Sequence, residues 1–179
     1  ETVITSIGQG NMLVTPLQVA RYTAYIATGK LPKPHFFKAN YEEPKEVDIP
    51  AKYLDVMRKG MYDVSYSPKG TASKHINSKI TIAAKTGTAQ VPQGKDNSIF
   101  VLIAPADKPK IVVAAVMEHA GFGATWAGPA CTTIAEKYVT GELKREHLYK
   151  KMISSSFMPE YRRQYIADMK RKGWYKEPP

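Results

Sequence analysis

The sequence contains little cysteine and no long apolar run. Cys131 is the single cysteine among 179 residues, so an internal disulfide is excluded. No apolar stretch approaches the ~18 residues that a bilayer-spanning helix needs. No group of cysteines and histidines has the spacing of a zinc site, and we therefore expect no metal and no cofactor. Disorder throughout is excluded as well, because 43% of the residues are hydrophobic and the length suits one domain with a buried core.

Acidic residues are in the minority, since 16 Asp and Glu stand against 26 Lys and Arg, for a formal net charge of +10. Much of the basic excess lies at the C-terminal end, at Lys144, Arg145, Lys150, Lys151, Arg162, Arg163, Lys170, Arg171, Lys172 and Lys176. Such a tail is either a solvated helical face or a surface that binds a phosphate backbone or an anionic membrane. The recognised nucleic-acid motifs are absent from the sequence. We therefore favour the solvated face and expect no nucleic-acid partner.

Two helices are predicted in the first part of the chain. Residues 15–18 combine a capping Thr15, a proline at the first helical position and Gln18, which completes a capping box, and Gly29 is a natural stop. A second helix is predicted over residues 50–65, because apolar side chains recur there at helical spacing. These side chains are Leu54, Met57, Met61 and Val64.

Three strands and a further helix are predicted next. Residues 80–90, 98–104 and 111–116 are short apolar runs rich in β-branched residues, and the last two are separated by a loop bounded by prolines. A helix is predicted over residues 128–139, with Ala130, Ile134, Ala135 and Tyr138 on one side. The order of elements indicates an α+β fold, in which a three-strand antiparallel meander is flanked by helices.

Lys85 is unusual because it lies inside the first of these strands, in the stretch Ile82-Ala83-Ala84-Lys85-Thr86-Gly87-Thr88. A desolvated ammonium group is costly, so Lys85 should be paired, exposed or functional. Strand alternation places Ile80, Ile82, Ala84, Thr86 and Thr88 on one face and Lys85 and Gly87 on the other. Two hydroxyls on one face suit a planar carboxylate, and Gly87 leaves room for a close approach. The pattern predicts a strand that recognises an anion.

The segment Lys85-Thr86-Gly87-Thr88 resembles the Lys-Thr-Gly motif of penicillin-binding proteins and serine β-lactamases. Ser6-Ile7-Gly8-Gln9-Gly10, followed by the segment 14–20 with Thr15-Pro16-Leu17-Gln18, resembles the Gly-Gln-Gly and Thr-Pro-Leu-Gln segment of penicillin-binding transpeptidases. Gly70-Thr71-Ala72 and the hairpin 98–116 also lie where that family has them. The resemblance covers about residues 5–140 and is strongest to class B enzymes of the penicillin-binding protein 2 type.

This resemblance implies a peptidoglycan D,D-transpeptidase, which cross-links stem peptides through a serine acyl-enzyme and is acylated by β-lactams. By motif position, Thr86, Gly87 and Thr88 would bind the substrate, with the two hydroxyls on its terminal carboxylate. Lys85 and Thr88 would be catalytic. Lys85 would tune proton transfer, and the backbone N–H of Thr88 would be one of two oxyanion donors. Glu118, His119 and Trp126, in the loop after the last strand, could rim the cleft.

The sequence departs from the family in its serines. The family's nucleophile lies in a Ser-x-x-Lys motif, with a Ser-x-Asn or Ser-x-Asp motif on a second helix, and none of the serines here has Lys at the third following position or Asn or Asp at the second. We expect residues 1–140 to be the C-terminal part of a transpeptidase domain and residues 141–179 to be a basic, helical extension. The chain alone should be inactive and should depend on an N-terminal half.

The resemblance also implies a location and partners. The longer protein would act at the periplasmic face of the inner membrane, anchored by a segment outside this chain, together with the cell-elongation machinery. Its ligands would be peptidoglycan stem peptides and β-lactams. The alternative is a non-catalytic interaction module that binds a partner or an anionic surface through the basic tail.

Overall fold

The computed structural model describes residues 2–74, 76, 78–92 and 94–175. Its helices are α1 (Thr2–Ser6), α2 (Pro16–Thr28), α3 (Ala51–Tyr66), α4 (Ala127–Thr140), α5 (Glu146–Ser154) and α6 (Met158–Arg171). Its strands are β1 (Lys30–Leu31), β2 (Lys45–Glu46), β3 (Ala83–Ala89), β4 (Asn97–Ala104) and β5 (Ile111–Met117), and Lys38–Asn40 form a 3₁₀ turn. The combination of helices with antiparallel sheets confirms the predicted α+β class.

The central sheet has the strand order β3-β4-β5, and both pairs are antiparallel. The predicted meander is therefore confirmed, although β3 begins at Ala83 rather than at residue 80. The register pairs Lys85 with Val101 and Thr88 with Ser98. A second, two-stranded sheet joins β1 to β2.

The two faces of the central sheet pack against different helices. One face carries Ile82, Ala84, Phe100 and Leu102 and is covered by α4. The opposite face carries Ala83, Val101 and Ile103 and is covered by α2. Helix α3 packs beside β3 and contributes Met61 to the second core. The sheet is therefore the middle layer, and β3 is held between a core on either side.

Helix α2 begins and ends as its sequence predicts. The hydroxyl of Thr15 accepts from the backbone N–H of Gln18 at 3.2 Å, and the backbone N–H of Thr15 donates to Gln18 Oε1 at 2.8 Å. This reciprocal pair is a capping box, and it satisfies N–H groups that have no partner inside the helix. Gly29 ends the helix at φ 75°, a left-handed conformation that glycine adopts without steric cost.

Helix α4 turns only part of its predicted apolar side to the core. Ile134 and Tyr138 are 52% and 64% exposed, whereas Ala135 is buried. The residues that pack on the sheet are small: Ala127, Cys131 and Ala135. The reason is a close approach, since a Cβ placed on Gly128 would lie 3.2 Å from the ring of Phe100. At that separation only small side chains fit between helix and sheet, and the large apolar ones point away.

Helix α3 follows the predicted stripe in part. Leu54 and Met61 are buried, whereas Met57 is 47% exposed. The helix is tied to α2 by Arg58, whose guanidinium donates to the carbonyls of Ile26 and Ala27 at 3.0 and 3.3 Å. These carbonyls belong to the last turn of α2, where no helical N–H is left to bond them.

The C-terminal extension is helical in α5 and α6, and neither helix contains a fully buried residue. A nearly buried ion pair, Arg145 Nε to Glu136 Oε2 at 2.8 Å, joins its first residues to α4. Residues 176–179, and Lys176 with them, lie outside the described residues. Over the described ranges, none of the helices is both long and apolar enough to cross a membrane.

Candidate functional site

The segment that contains Lys85 lies at an outer edge of the central sheet. In the part of the chain that the structure describes, β3 pairs with β4 alone. Two carbonyls point to the other, free side: Thr86 O accepts from Lys85 Nζ at 2.6 Å, and Thr88 O accepts from Gln9 Nε2 at 3.0 Å. A strand residue directs its N–H and C=O to the same side, so the N–H groups of Thr86 and Thr88 also face this free edge. The edge therefore presents backbone donors beside the two threonines.

Helix α3 closes the beginning of the same edge. The backbone N–H of Ile82 donates to the hydroxyl of Tyr66 at 2.9 Å. Burial raises the pKa of Tyr66 above its ordinary value, and the bond from Ile82 opposes this rise in part. The raised pKa favours the neutral form of the phenol. The strand edge is covered up to residue 82 and open from Lys85 onward.

Three hydroxyl groups lie along the open edge. Thr86 and Thr88 are half-buried and, by strand alternation, point to the face that Ala84 occupies in the core. Thr71 Oγ1 lies 2.7 Å from Thr86 Oγ1, so the segment Gly70-Thr71-Ala72 adds a third hydroxyl beside them. A hydroxyl can donate one hydrogen bond and can rotate to suit its acceptor. The arrangement is suited to binding an anion.

Close backbone approaches at glycines hold this arrangement together. A Cβ on Gly123, in the loop before α4, would collide with the carbonyl of Ile99 and would lie 2.5 Å from the carbonyl of Gly87. A Cβ on Gly70 would collide with the carbonyl of Val64 at the end of α3. Any larger residue would force the backbone to move, so these glycines fix the loops on both sides of the hydroxyl groups.

The surroundings of Lys85 explain how a lysine is accommodated within this strand. Its side chain is exposed, on the face opposite to Thr86 and Thr88, and Nζ bends to the strand edge to reach Thr86 O. The ammonium group is therefore solvated and hydrogen-bonded, and no desolvation cost arises. Its positive charge lies at the edge that presents the hydroxyl and N–H donors.

A pocket of about 420 Å³ opens beside Thr88. Its lining comes from Thr88 and from the loops before β4 and after β5, at Gly94, Lys95, Asp96, Ala120, Gly121, Phe122 and Thr125. The two loops are joined by a bond from the Gly121 N–H to Asp96 O at 2.7 Å. The lining does not include the predicted rim residues Glu118, His119 and Trp126. Two of these, His119 and Trp126, contact the C-terminal extension instead.

The sequence did not predict two contacts at this site. Gln9 reaches Thr88 across 79 positions and Thr71 reaches Thr86 across 15. Both residues belong to segments that were identified in the sequence by their resemblance to family motifs. The motifs indicated that these segments matter, but they did not indicate which residues contact each other. Cys131 is buried, and burial raises the pKa of its thiol to about 12. Among the described residues, no group of three or more His, Cys, Asp or Glu could hold a metal ion.

Comparison with known proteins agrees with the family resemblance that the sequence motifs indicate. A family model described as the penicillin binding protein transpeptidase domain matches residues 1–139. The peptidoglycan D,D-transpeptidase MrdA of Haemophilus influenzae is 31% identical over 177 aligned residues, which cover 83% of this chain and 27% of that protein.

Two solved structures are similar as well. The penicillin-binding protein PBP2 from Helicobacter pylori is 41% identical with a TM-score of 0.70, over 79% of this chain and 27% of that one. The complex of PBP2 with MreC from the same organism gives 40% identity and a TM-score of 0.71, over 78% of this chain and 27% of the other. This chain thus spans about a quarter of the length of these relatives.

Proposed function

The chain belongs to the family of penicillin-binding protein transpeptidase domains, of the PBP2-like type, and on that basis we propose that it forms one wall of the active-site cleft of a peptidoglycan D,D-transpeptidase. The observation that supports this most directly is the open edge of β3. There the hydroxyls of Thr86 and Thr88, the outward N–H groups and the ammonium of Lys85 occur together. An extended peptide with a terminal carboxylate matches such an edge, because it can pair with the strand and place its anion on the hydroxyls.

The threonines would bind the carboxylate of the donor stem peptide. Thr86 and Thr88 would each donate a hydrogen bond to it, and Thr71 would orient the hydroxyl of Thr86 through their 2.7 Å contact. Gly87, between them, would let the peptide approach the strand backbone. A hydrogen bond to a charged group stabilises a complex by about 1.5–3 kcal/mol, so these two side chains would dominate recognition of the anion.

The N–H of Thr88 would stabilise the oxyanion. In the acyl-transfer step a serine hydroxyl attacks the carbonyl carbon between the two D-alanines, and negative charge develops on the carbonyl oxygen. A preorganised N–H donor at that position contributes about 3–4 kcal/mol to transition-state stabilisation. The bond from Gln9 to Thr88 O holds the next peptide group, between Thr88 and Ala89, and would thereby steady the backbone on the C-terminal side of this N–H.

The serine would come from a part of the longer protein outside this chain, since no serine here lies in the required motif. Its attack forms a C–O ester bond and breaks the C–N bond of the peptide, and the departing D-alanine takes up a proton. An amine of a stem peptide on a neighbouring peptidoglycan strand then attacks the ester carbonyl and displaces the serine. A β-lactam would be attacked in the same way at its ring carbonyl. The C–N bond that breaks is part of the ring, so the ring opens and no group departs. Lys85 would assist the proton transfer through its charge at the edge.

The location and partners of the longer protein follow from the same proposal. Peptidoglycan lies outside the inner membrane, so the domain would act at the periplasmic face, held there by an anchor outside this chain. The complex of PBP2 with MreC from Helicobacter pylori supports the cell-elongation machinery as the partner.

Acylation by labelled penicillin tests the proposal in the full-length protein that contains these residues. Lys85→Ala should lower the second-order acylation rate constant by at least ~10²-fold, the scale of a lost proton-transfer or electrostatic contribution. Lys108→Ala, at an exposed lysine in the loop between β4 and β5, is the matched control and should leave the rate unchanged. The 179-residue chain alone should show no stoichiometric adduct by intact mass. If the full-length protein were not acylated, the non-catalytic interaction module would be favoured instead.

A further inference from the structure

The start of helix α6 returns to the loops that line the pocket beside Thr88. The ring of Tyr161 stacks on the ring of His119, with centroids 3.9 Å apart and planes inclined by 16°. One residue earlier, Glu160 Oε2 forms an ion pair with Lys95 Nζ at 2.8 Å. Lys95 and His119 belong to different loops, before β4 and after β5, so one helical turn contacts both loops.

His119 is held from the other side as well. Its backbone N–H donates to Asn97 Oδ1 at 3.0 Å, and its ring Nδ1 lies 3.2 Å from Lys95 O. A Cβ on Gly94 would lie 2.9 Å from both the His119 ring and the Tyr161 ring, so the glycine backbone packs directly against this stack. The imidazole is thus enclosed by the loop before β4 and the ring of Tyr161.

A second contact attaches the extension to the same loop closer to α4. The ring of Phe157 meets Trp126 edge to face, with centroids 4.7 Å apart, and Lys151 Nζ lies 4.5 Å from the centre of the Trp126 ring. Edge-to-face aromatic pairs and cations above indole rings are both attractive. The loop after β5 is therefore fixed at two points, His119 and Trp126, by residues of the extension.

Most of these contacts are made by aromatic and acidic residues, and among the basic residues that dominate the extension in sequence Lys151 takes part through Trp126. Glu160, Tyr161 and Phe157 are half-buried, whereas Arg162 and Arg163 are exposed. The family match ends at residue 139, so all three contacting residues lie beyond it. A helix that only offered a charged face to solvent would not need aromatic residues packed on loops of the pocket.

We propose that the extension is a positioning element for the transpeptidase site. Tyr161, Glu160 and Phe157 hold the loops before β4 and after β5 in the arrangement that shapes the pocket beside Thr88. This inference rests on the proposed function, because the pocket matters only if Thr88 contacts the substrate. Tyr161 acts through His119 and the loops and does not itself contact the reacting atoms.

Two measurements on Tyr161 variants of the full-length protein test the proposal. Tyr161→Ala should accelerate amide hydrogen exchange at residues 94–97 and 119–122 by roughly 2- to 12-fold, the range expected for loss of one aromatic stack. The second-order rate constant of penicillin acylation should fall by a similar factor, about 2- to 12-fold. Tyr161→Phe keeps the stacked ring and should leave both the exchange rates and the acylation rate constant at their wild-type values. Gln164→Ala, at an exposed residue of the same helix, should change neither.

Charge reversal tests the same element without touching a packed ring, so folding is not at risk. Glu160→Lys should accelerate exchange at residues 94–97, and the double change Lys95→Glu with Glu160→Lys should return it to the wild-type rate. Faster exchange with unchanged acylation in Tyr161→Ala would overturn the positioning role. Unchanged exchange would overturn the contact itself. Failure of the wild-type protein to react with penicillin would contradict the proposed function but would leave the exchange result as an independent test of the loop contacts.

Discussion

The two ends of strand β3 differ in burial and in polarity, although the strand is only seven residues long. Ala83 and Ala84 are 3% and 0% exposed and pack into the cores on opposite faces of the sheet. From Lys85 to Ala89 the residues are exposed or half-buried, and three of them, Lys85, Thr86 and Thr88, carry polar side chains. Burial at one end stabilises the strand, and the other end contributes little to stability but leaves its donors accessible. The first residues of β3 thus anchor the strand in the core, and the remaining residues are left accessible for binding.

The largest effect should come from the core that anchors the strand. Phe100 on β4 lies opposite Thr86 in the register, is fully buried and belongs to the same core as Ala84, so Phe100→Ala should lower the free energy of unfolding by about 3–5 kcal/mol through lost burial and a cavity. Urea unfolding of the chain measures this. Val116→Ala, at a 40% exposed site of the neighbouring strand, is the control and should cost less than about 1 kcal/mol. Equal losses at the two sites would show that the sheet is not buried as described.

The open end should affect acylation and leave stability nearly unchanged. Thr86→Val and Thr88→Val preserve shape and strand propensity but each removes one donor to the carboxylate. Each should lower the acylation rate constant of the full-length protein by roughly 10- to 150-fold, because a hydrogen bond to a charged group is worth about 1.5–3 kcal/mol. The double variant should be non-additive, since both hydroxyls serve the same carboxylate.

An ester-masked β-lactam separates anion recognition from other roles of these threonines. It lacks the carboxylate, so the same substitutions should cost it much less than they cost the free acid. Thr81→Val is the matched control, because the Thr81 hydroxyl bonds Asp107 at 2.8 Å, away from the open edge, and its loss should not alter acylation. Equal losses for acid and ester would mean that Thr86 and Thr88 support the fold or the oxyanion site instead.

The smallest effect concerns that control residue. The hydrogen bond from Thr81 lowers the pKa of Asp107 below its ordinary value. A lowered pKa in the folded state means that this bond stabilises the fold above the ordinary carboxyl pKa, and that the contribution is lost as the pH falls through the folded pKa. Thr81→Val should raise the pKa of Asp107 toward its ordinary value, as measured by NMR titration of the carboxyl carbon. An identical titration in both proteins would contradict the bond.

Features set by nearby residues could be predicted from the sequence. Both ends of α2 were predicted because Thr15, Gln18 and Gly29 act within one turn of the helix. The strands were predicted because their apolar runs are short and bounded by turn residues. Which residues of α4 face the sheet could not be predicted, since that depends on the close approach of Gly128 to Phe100, which are far apart in the chain.

The site shows the same division between local and distant effects. The shared face of Thr86 and Thr88 follows from strand alternation and could be deduced from the sequence. The bond from Gln9 to Thr88 and the stack of Tyr161 on His119 join residues 79 and 42 positions apart, and no local pattern specifies either contact. The resemblance identified the motif strand, but it could not predict that the extension, which lies beyond the family match, contacts the loops beside that strand.

The open edge of β3 also bears on the solubility of the isolated chain. A strand with outward N–H and C=O groups can pair with the same strand of another copy, and such edge-to-edge pairing is a route to aggregation. A lysine on an exposed edge strand opposes this pairing, because two copies would bring like charges together. Lys85 is such a residue, so the ammonium group that we assign to catalysis also protects the strand from self-association whenever the edge is unoccupied.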